Sequence, residues 1–377
     1  MRSSPRNMIT IDLGAVRQNV AFLRQKLRPG TRFLAAVKAD AYGHGGAQCA
    51  RAVMQAGADG VAVATAEEAV ALRDAGFAST ILVMGPLFGL DQCVEMASRG
   101  VEFAVVSDDM AEMVLALAGS RLNARLHLKI DSGMNRQGLQ PKQVPAFLAT
   151  IRAIDELELV GIMTHFACAS DDAASVDFQL ERFLPSVRLV RAGYPAAIAH
   201  AANSAATMYS PQTHLDMVRC GIAVYGLSPG QGNAPSEGLR PALTWTSRVA
   251  LVKRVPAGEG VGYGHTFRPG ADTNVALIPI GYADGVFRLL GNRGQVGIKG
   301  RRYPMVGRVS MDSFGVDVGA DGRVEAGDTV TLIGRHGDIR LSAEEMALSA
   351  DTINYEITCN VSVTRAERVF VDQGDLT

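Results

Sequence analysis

The chain has little cysteine, no long apolar run and no excess of either charge, and each lack removes a class of protein. Its five cysteines (Cys49, Cys93, Cys168, Cys220, Cys359) are scattered, odd in number and never spaced C-x-x-C. Neither a disulfide framework nor a zinc site is signalled, no other metal is expected, and a reducing, cytoplasmic setting follows. No stretch approaches the ~18 apolar residues of a membrane span. The basic start Met1-Arg2-Ser3-Ser4-Pro5-Arg6 runs into Ile9-Thr10-Ile11-Asp12, which interrupts the apolar core a signal peptide needs. Without a secretory signal, the lone sequon Asn360-Val361-Ser362 reads as chance. Lys and Arg number 37 against 38 Asp and Glu, so no bulk field favours nucleic acid or an anionic membrane. No G-x-G-x-x-G follows the first strand-like run, which leaves a dinucleotide-binding open sheet unsupported. Small-molecule chemistry remains.

What is present is a chain of 377 residues, 47% apolar and 20% charged, long enough for two or three domains or one barrel and an addition. Asp12, followed by Leu13, Val16, Val20 and Leu23, predicts a capped helix with an apolar stripe. Short apolar runs then recur at Phe33–Val37, Gly60–Ala64, Thr80–Met84, Val101–Val106, Ala124–Ile130, Leu157–Met163, Ala197–His200 and Leu215–Val218. Between them lie segments with helical spacing, among them Glu67–Ala75, Met110–Ala118, Val144–Ile154 and Phe178–Val190. Strand-helix alternation implies parallel strands joined by helical crossovers, and about eight units is the count of a (β/α)8 barrel of the TIM type.

In such a barrel, catalytic groups stand just after the strands. Those positions hold Lys38, Lys129, Asp131, His165, Asn203, Ser204 and Arg219. Lys38 stands out, because an apolar strand ends abruptly in it and the turn-prone Tyr42-Gly43-His44 follows. A desolvated lysine has a lowered pKa and becomes a usable amine nucleophile. The bland alternative is a strand-end lysine that snorkels to water.

The pattern changes at Ser228-Pro229-Gly230-Gln231-Gly232-Asn233-Ala234-Pro235, which separates a barrel domain, 8–236, from a second domain, 237–377. Residues 1–7 are expected to pack on the latter. Its runs, Thr246–Val255, Asn274–Ile280, Gln295–Lys299, Phe314–Val318, Thr329–Ile333, Val361–Thr364 and Arg368–Val371, predict a mainly antiparallel β domain. Only Ala343–Ala350 has a helical pattern.

Several long motifs, in order, carry a resemblance. They are Ala36-Val37-Lys38-Ala39-Asp40-Ala41-Tyr42-Gly43-His44-Gly45, Lys129-Ile130-Asp131-Ser132-Gly133-Met134-Asn135-Arg136, Thr164-His165-Phe166-Ala167, Asn203-Ser204 and Arg219 to Gly226. In the second domain they continue with Gly262-Tyr263-Gly264, Pro279-Ile280-Gly281-Tyr282-Ala283-Asp284-Gly285, Gly307-Arg308-Val309-Ser310-Met311-Asp312 and Asn354-Tyr355-Glu356. Together they resemble the alanine racemase family of fold-type III enzymes dependent on pyridoxal 5′-phosphate.

The resemblance implies an amino-acid racemase that interconverts L- and D-alanine through an external aldimine by a two-base mechanism and supplies D-alanine for peptidoglycan. It also implies a homodimer with a shared active site. By the same resemblance Lys38 is the Schiff-base lysine and one base, and the partner subunit's Tyr263 is the other. Tyr42, Ser204 and the backbone of Gly221 and Ile222 form the phosphate cradle, with Tyr355 beside it and Asn203 among the cofactor contacts. Arg219 faces the pyridine nitrogen, supported by His165. Arg136 and the Met311 amide hold the substrate carboxylate, Tyr282 lines the entrance, and Lys129 is the position that becomes carbamylated. Two positions depart from the family pattern: Cys220 stands where proline is expected, and Ser310 where many members have cysteine. A serine-specific or broader racemase, a decarboxylase or aldolase using the same cofactor, and a non-catalytic carrier of it are the alternatives.

Overall fold

The computed structural model describes residues 5–230, 237–361 and 364–372. The expected domain boundary at 236 and part of the expected strand Val361–Thr364 lie outside them. Over the described residues the chain divides into two compact units. One comprises Val16–Val224 and Pro229–Gln231, the other Met1–Ala15, Tyr225–Ser228 and Gly232–Thr377.

The first strand, β1 (Asn7–Asp12), belongs to the sheet unit and corrects the expectation that the barrel domain begins at residue 8. Its residues alternate between buried Asn7, Ile9 and Ile11 and half-exposed Met8, Thr10 and Asp12, the period-2 pattern of a strand with one face on a core. Asn7 Oδ1 accepts a 2.7 Å hydrogen bond from Trp245 Nε1, which anchors the strand inside the second sheet. Asp12 then caps the helix Leu13–Gln25, its Oδ1 accepting from the Ala15 amide at 3.1 Å.

The barrel strands are β2 (Arg32–Ala36), β3 (Gly60–Val63), β4 (Thr80–Val83), β5 (Glu102–Val105), β6 (Ala124–Lys129), β7 (Leu157–Met163), β8 (Ile198–His200) and β9 (Met217–Cys220). All pair in parallel, and β9 closes on β2 with Arg219 beside Leu34. They are the eight apolar runs of the sequence. Their insides meet in a core that includes Leu34, Ala62, Leu82 and Met217, so the barrel is filled rather than hollow. Thr65 and Glu68 form a capping box on the helix Ala66–Asp74 that follows β3.

The sheet unit contains β10 (Leu243–Arg248), β11 (Leu251–Val255), β12 (Thr273–Ile278), β13 (Gln295–Ile298), β14 (Arg301–Val306), β15 (Phe314–Asp317), β16 (Thr329–His336), β17 (Ile339–Leu341) and β18 (Glu367–Val371). The order is β11-β12-β15-β14-β13-β16-β10-β1-β18, with β17 hairpinned onto β16. Pairing is antiparallel except between β1 and β18. The single expected run Thr246–Val255 is two strands, and β14 escaped the pattern because Arg301, Arg302 and Pro304 interrupt it. A second helix, Asn354–Asn360, was hidden by its weak helix formers. Tertiary bonds hold it: Asn354 Nδ2 donates to Ser228 O at 2.9 Å and to Glu344 Oε1 at 3.1 Å. Among the described residues no helix is long and apolar enough to cross a membrane.

Candidate active site at the barrel mouth

Lys38 lies just past β2 and opens a turn of unusual hand. Ala39, Asp40, Ala41 and Tyr42 all have φ between 51° and 56°. A left-handed turn of L-residues costs about 1–2 kcal/mol per residue and persists only where its surroundings impose it. The sequence supplies the restraints. Asp40 Oδ1 accepts from the Gly46 amide at 2.6 Å. The buried His44 ring places Nδ1 3.0 Å from Ala41 O and 2.9 Å from Tyr42 O. Two carbonyls can only accept, so Nδ1 carries the proton and staples the turn from below. Lys38 itself is half-buried, more exposed than the expectation of a desolvated lysine implies, with Nζ 5.9 Å from the Tyr42 ring centre.

The turn delivers the Tyr42 hydroxyl to the end of β9. A Cβ on Gly221 would sit 2.3 Å from Tyr42 Oη, so only glycine allows the two to meet. Ser204 Oγ accepts from the Gly221 amide at 2.8 Å and the Ala223 amide at 3.4 Å. Asn203, rather than Ser204, caps the helix Ser204–Tyr209, with Oδ1 accepting from the Ala206 amide at 3.0 Å. Buried Ile222 opens the turn that follows Gly221. The Tyr42 and Ser204 hydroxyls, beside the backbone of Gly221 and Ile222, form a group of donors suited to a phosphate dianion, with Ser204 held in place by the Gly221 and Ala223 amides.

Arg219 is buried within β9. Its Nη2 donates to Thr164 O at 2.7 Å, Ala201 O at 3.1 Å and His165 Nδ1 at 3.3 Å, and its Nη1 lies 2.9 Å from His200 Nδ1. Burial lowers its pKa to about 10, so it remains a cation at neutral pH. His165 is held well below the usual imidazole range by burial and by the charges of Arg219, Lys129, Arg136 and Lys38.

The Arg219 bonds continue through the barrel. A guanidinium only donates, so His200 Nδ1 accepts and the proton of neutral His200 is on Nε2. That nitrogen lies 2.8 Å from His127 Nδ1, and His127 Nε2 lies 2.9 Å from Glu102 Oε2. Both imidazoles are therefore Nε2–H tautomers in one directed chain from Arg219 to a carboxylate. Burial works to raise the Glu102 carboxyl, but the hydrogen bond from His127 and the hydrogen bond and charge of Arg125 outweigh it and leave its pKa lowered. Gly161 makes room, because a Cβ there would be 2.1 Å from His127 Nδ1. Sequence reasoning missed His127, His200 and Glu102. The available signal was polar residues inside runs otherwise apolar.

Lys129, the last residue of β6, is buried and donates to Gln137 Oε1 at 2.8 Å. Neighbouring Asp131 is turned to its own loop, where its Oδ1 accepts from the Gly133 and Asn135 amides, each at 3.0 Å. Burial, then the charges of Arg219, Arg136 and Lys38, lower Lys129 to about 8. Arg136 is exposed at the same rim. Lys38, Lys129, Arg136 and Arg219 thus bring four cations within electrostatic range of one another, an excess that calls for anionic ligands.

The remaining expected residues lie in the sheet unit. Tyr263, Tyr282 and Met311 line one surface basin of about 460 Å3 together with Arg288, Arg308 and Asp312. Tyr263 is 73% exposed and Met311 53%, large side chains without cover in a single chain. Arg308 lies against Gly264, whose Cβ would approach Nη1 to 3.0 Å. Tyr355 is half-buried on the helix Asn354–Asn360, and burial pushes its hydroxyl up to about 12, so it stays a neutral donor.

Two family profiles cover the chain: "Alanine racemase, N-terminal domain" matches residues 11–229 and "Alanine racemase, C-terminal domain" matches 242–370. The alanine racemase of Symbiobacterium thermophilum is 44% identical over 93% of this chain and 94% of its own length. The crystal structure of alanine racemase from D-cycloserine-producing Streptomyces lavendulae superposes with a TM-score of 0.90 at 38% identity, covering 98% of each chain. That of Bacillus anthracis with bound L-Ala-P gives 0.91 at 35% identity, covering 100% of this chain and 97% of the other.

Proposed function

The chain belongs to the alanine racemase family, and from that premise we propose that it interconverts L- and D-alanine with pyridoxal 5′-phosphate, in a homodimer whose active sites are shared. The racemisation yields D-alanine for peptidoglycan. The observation that carries the reading is the barrel mouth, where one left-handed turn presents the Lys38 amine and aims the Tyr42 hydroxyl at Gly221.

Pyridoxal phosphate, when bound, supplies an electron sink that acidifies the substrate's α-proton. Tyr42, Ser204 and the backbone of Gly221 and Ile222 hold its phosphate, with Tyr355 contributing a neutral hydroxyl and Asn203 its amide group. Lys38 holds the cofactor covalently and moves the proton on one face of Cα. The partner subunit's Tyr263 serves the other face, since one rigid base cannot reach both sides of a planar carbon. The exposure of Tyr263, Tyr282 and Met311 supports a second copy as their cover. Arg219 donates to the ring nitrogen without surrendering its proton, and neutral His165 accepts from it. Restrained electron withdrawal limits side reactions and puts more of the burden on the two bases. Arg136 pairs with the substrate carboxylate, joined by the Met311 amide, and Tyr282 narrows the entry. With a pKa of about 8, Lys129 presents some neutral amine at neutral pH, the form that adds carbon dioxide. The resulting carbamate would turn a repelling cation into an anionic acceptor for Arg136.

Circular dichroism of L-alanine solutions, with and without added pyridoxal phosphate, tests the activity. Cofactor-dependent decay of the signal to zero is expected, and a persistent signal overturns the reading. Mixing K38A with Y263F protomers tests the shared site. Random exchange makes half the dimers hybrid with one intact site each, so about a quarter of wild-type activity should return from two inactive proteins. No recovery would place Lys38 and Tyr263 in the same subunit's site.

A further inference from the structure

We propose that Glu68, in the neighbouring βα loop, is a positioning residue for Lys38: its carboxylate holds the amide that follows the lysine and locks the left-handed turn. The inference rests on Lys38 being the cofactor-binding amine. The internal bonds of the turn begin later, at Ala41 N to Val37 O and Gly43 N to Ala39 O, which leaves the Ala39 amide to an outside acceptor. Glu68 Oε1 accepts it at 2.5 Å. The other oxygen, Oε2, accepts from Ala64 N at 2.7 Å and Thr65 N at 3.3 Å.

The capping box on the helix Ala66–Asp74 requires only the Thr65 bond, so the helix end accounts for Oε2 and leaves Oε1 unexplained. One carboxylate thus ties the segments that follow β2 and β3, strands already paired at Ala36 and Ala62. Ala39 is the first of the four left-handed residues. Without its acceptor the backbone is free to relax toward the right-handed region, which redirects the Lys38 side chain and withdraws the Tyr42 hydroxyl from Gly221. A change in a loop that carries no reacting atom would then alter how fast Lys38 captures its cofactor.

The test compares wild type, E68A, E68Q and T65A. Glutamine keeps the size of Glu68 but offers one acceptor oxygen for two loops, so it answers if the alanine variant fails to fold. T65A removes the helix cap while leaving the Glu68 to Ala39 bond. Two readouts are taken: hydrogen exchange of the Ala39 amide in apoprotein, and the rate at which pyridoxal phosphate forms a borohydride-reducible adduct, located at Lys38 by peptide mass. E68A and E68Q should exchange Ala39 faster and form the adduct at least ~10-fold more slowly, as befits a lost charge-assisted bond. T65A should lower thermal stability with both readouts within about two-fold of wild type. Wild-type exchange and adduct rates in the Glu68 variants overturn the proposal. Failure of wild type itself to form the adduct at Lys38 overturns the cofactor reading instead, and Ala39 exchange still decides whether Glu68 holds the turn.

Discussion

At the scale of single residues, the site works by choosing which groups carry charge. Lys129 is the clearest case. Its folded pKa of about 8 lies below the ordinary 10.5, so between those values the unfolded chain binds more protons and stability rises with pH. Below about pH 8 both states are protonated and the full penalty of burying the cation is present. A K129M substitution in carbon-dioxide-free apoprotein should therefore raise the thermal midpoint at pH 7, on the order of a few kcal/mol in stability. The gain should fade as pH climbs from 8 to 10.5, and a pH-independent gain would mean packing rather than charge. Tyr263 gives a second prediction. Because alanine enantiomers have equal free energy, Y263F must lower kcat/KM equally in both directions, by roughly 100-fold or more for a lost general base. Deuterium entry at Cα in heavy water should nevertheless persist for the one enantiomer whose α-proton faces Lys38. Equal loss of exchange from both enantiomers would remove Tyr263 from the proton path.

At the scale of elements, a strand end matters through what its neighbours allow it to reach. G221A should weaken cofactor affinity by about 10-fold with the fold intact, because its Cβ displaces Tyr42 Oη from 2.3 Å. Fluorescence titration of apoprotein with pyridoxal phosphate measures this, and unchanged affinity would detach Tyr42 from the phosphate. The chain of Arg219, His200, His127 and Glu102 passes through β9, β8, β6 and β5 and makes those strands one electrostatic unit. His200 is held well below the usual range by burial first and Arg219 second, so its contribution to stability is present above pH 6.5 and lost as pH falls below it. Nitrogen-15 spectra should show both rings as Nε2–H tautomers. E102L should cost about 1–3 kcal/mol by orphaning the His127 donor, and a Nδ1–H signal for either ring in wild type would break the chain.

At the scale of the whole molecule, the first and last strands among the described residues pair in one sheet. β1 lies between β10 and β18, pairing Ile9 with Trp245 on one side and with Arg368 on the other. Removing residues through Asp12 would leave β18 without its partner, turn β10 into an edge strand held only by β16, and uncover Trp245. The expected outcome is red-shifted tryptophan emission and aggregation, whereas a soluble, cooperatively folding truncation would show that β1 is dispensable.

The barrel was legible in the sequence because its strands are buried on both faces over most of their length and so read as largely apolar runs, and because a parallel sheet forces a helix between every pair. The reactive groups were legible for a related reason: Lys38, Lys129, His165 and Arg219 are polar residues at or just past the ends of such runs, where a merely structural rim has no need of them. The sequence by itself therefore determined the barrel, its polar mouth and, through long ordered motifs, the family. Only the tertiary structure decided the rest, since it depends on contacts between residues far apart in the chain. It assigned β1 to the second sheet, because a half-buried strand does not announce its partner. It revealed the left-handed turn and the Glu68 bond behind it, because backbone hand follows from restraints that converge from separate loops. It joined Glu102, His127, His200 and Arg219, because buried polar groups must find one another and sequence spacing carries no record of which do.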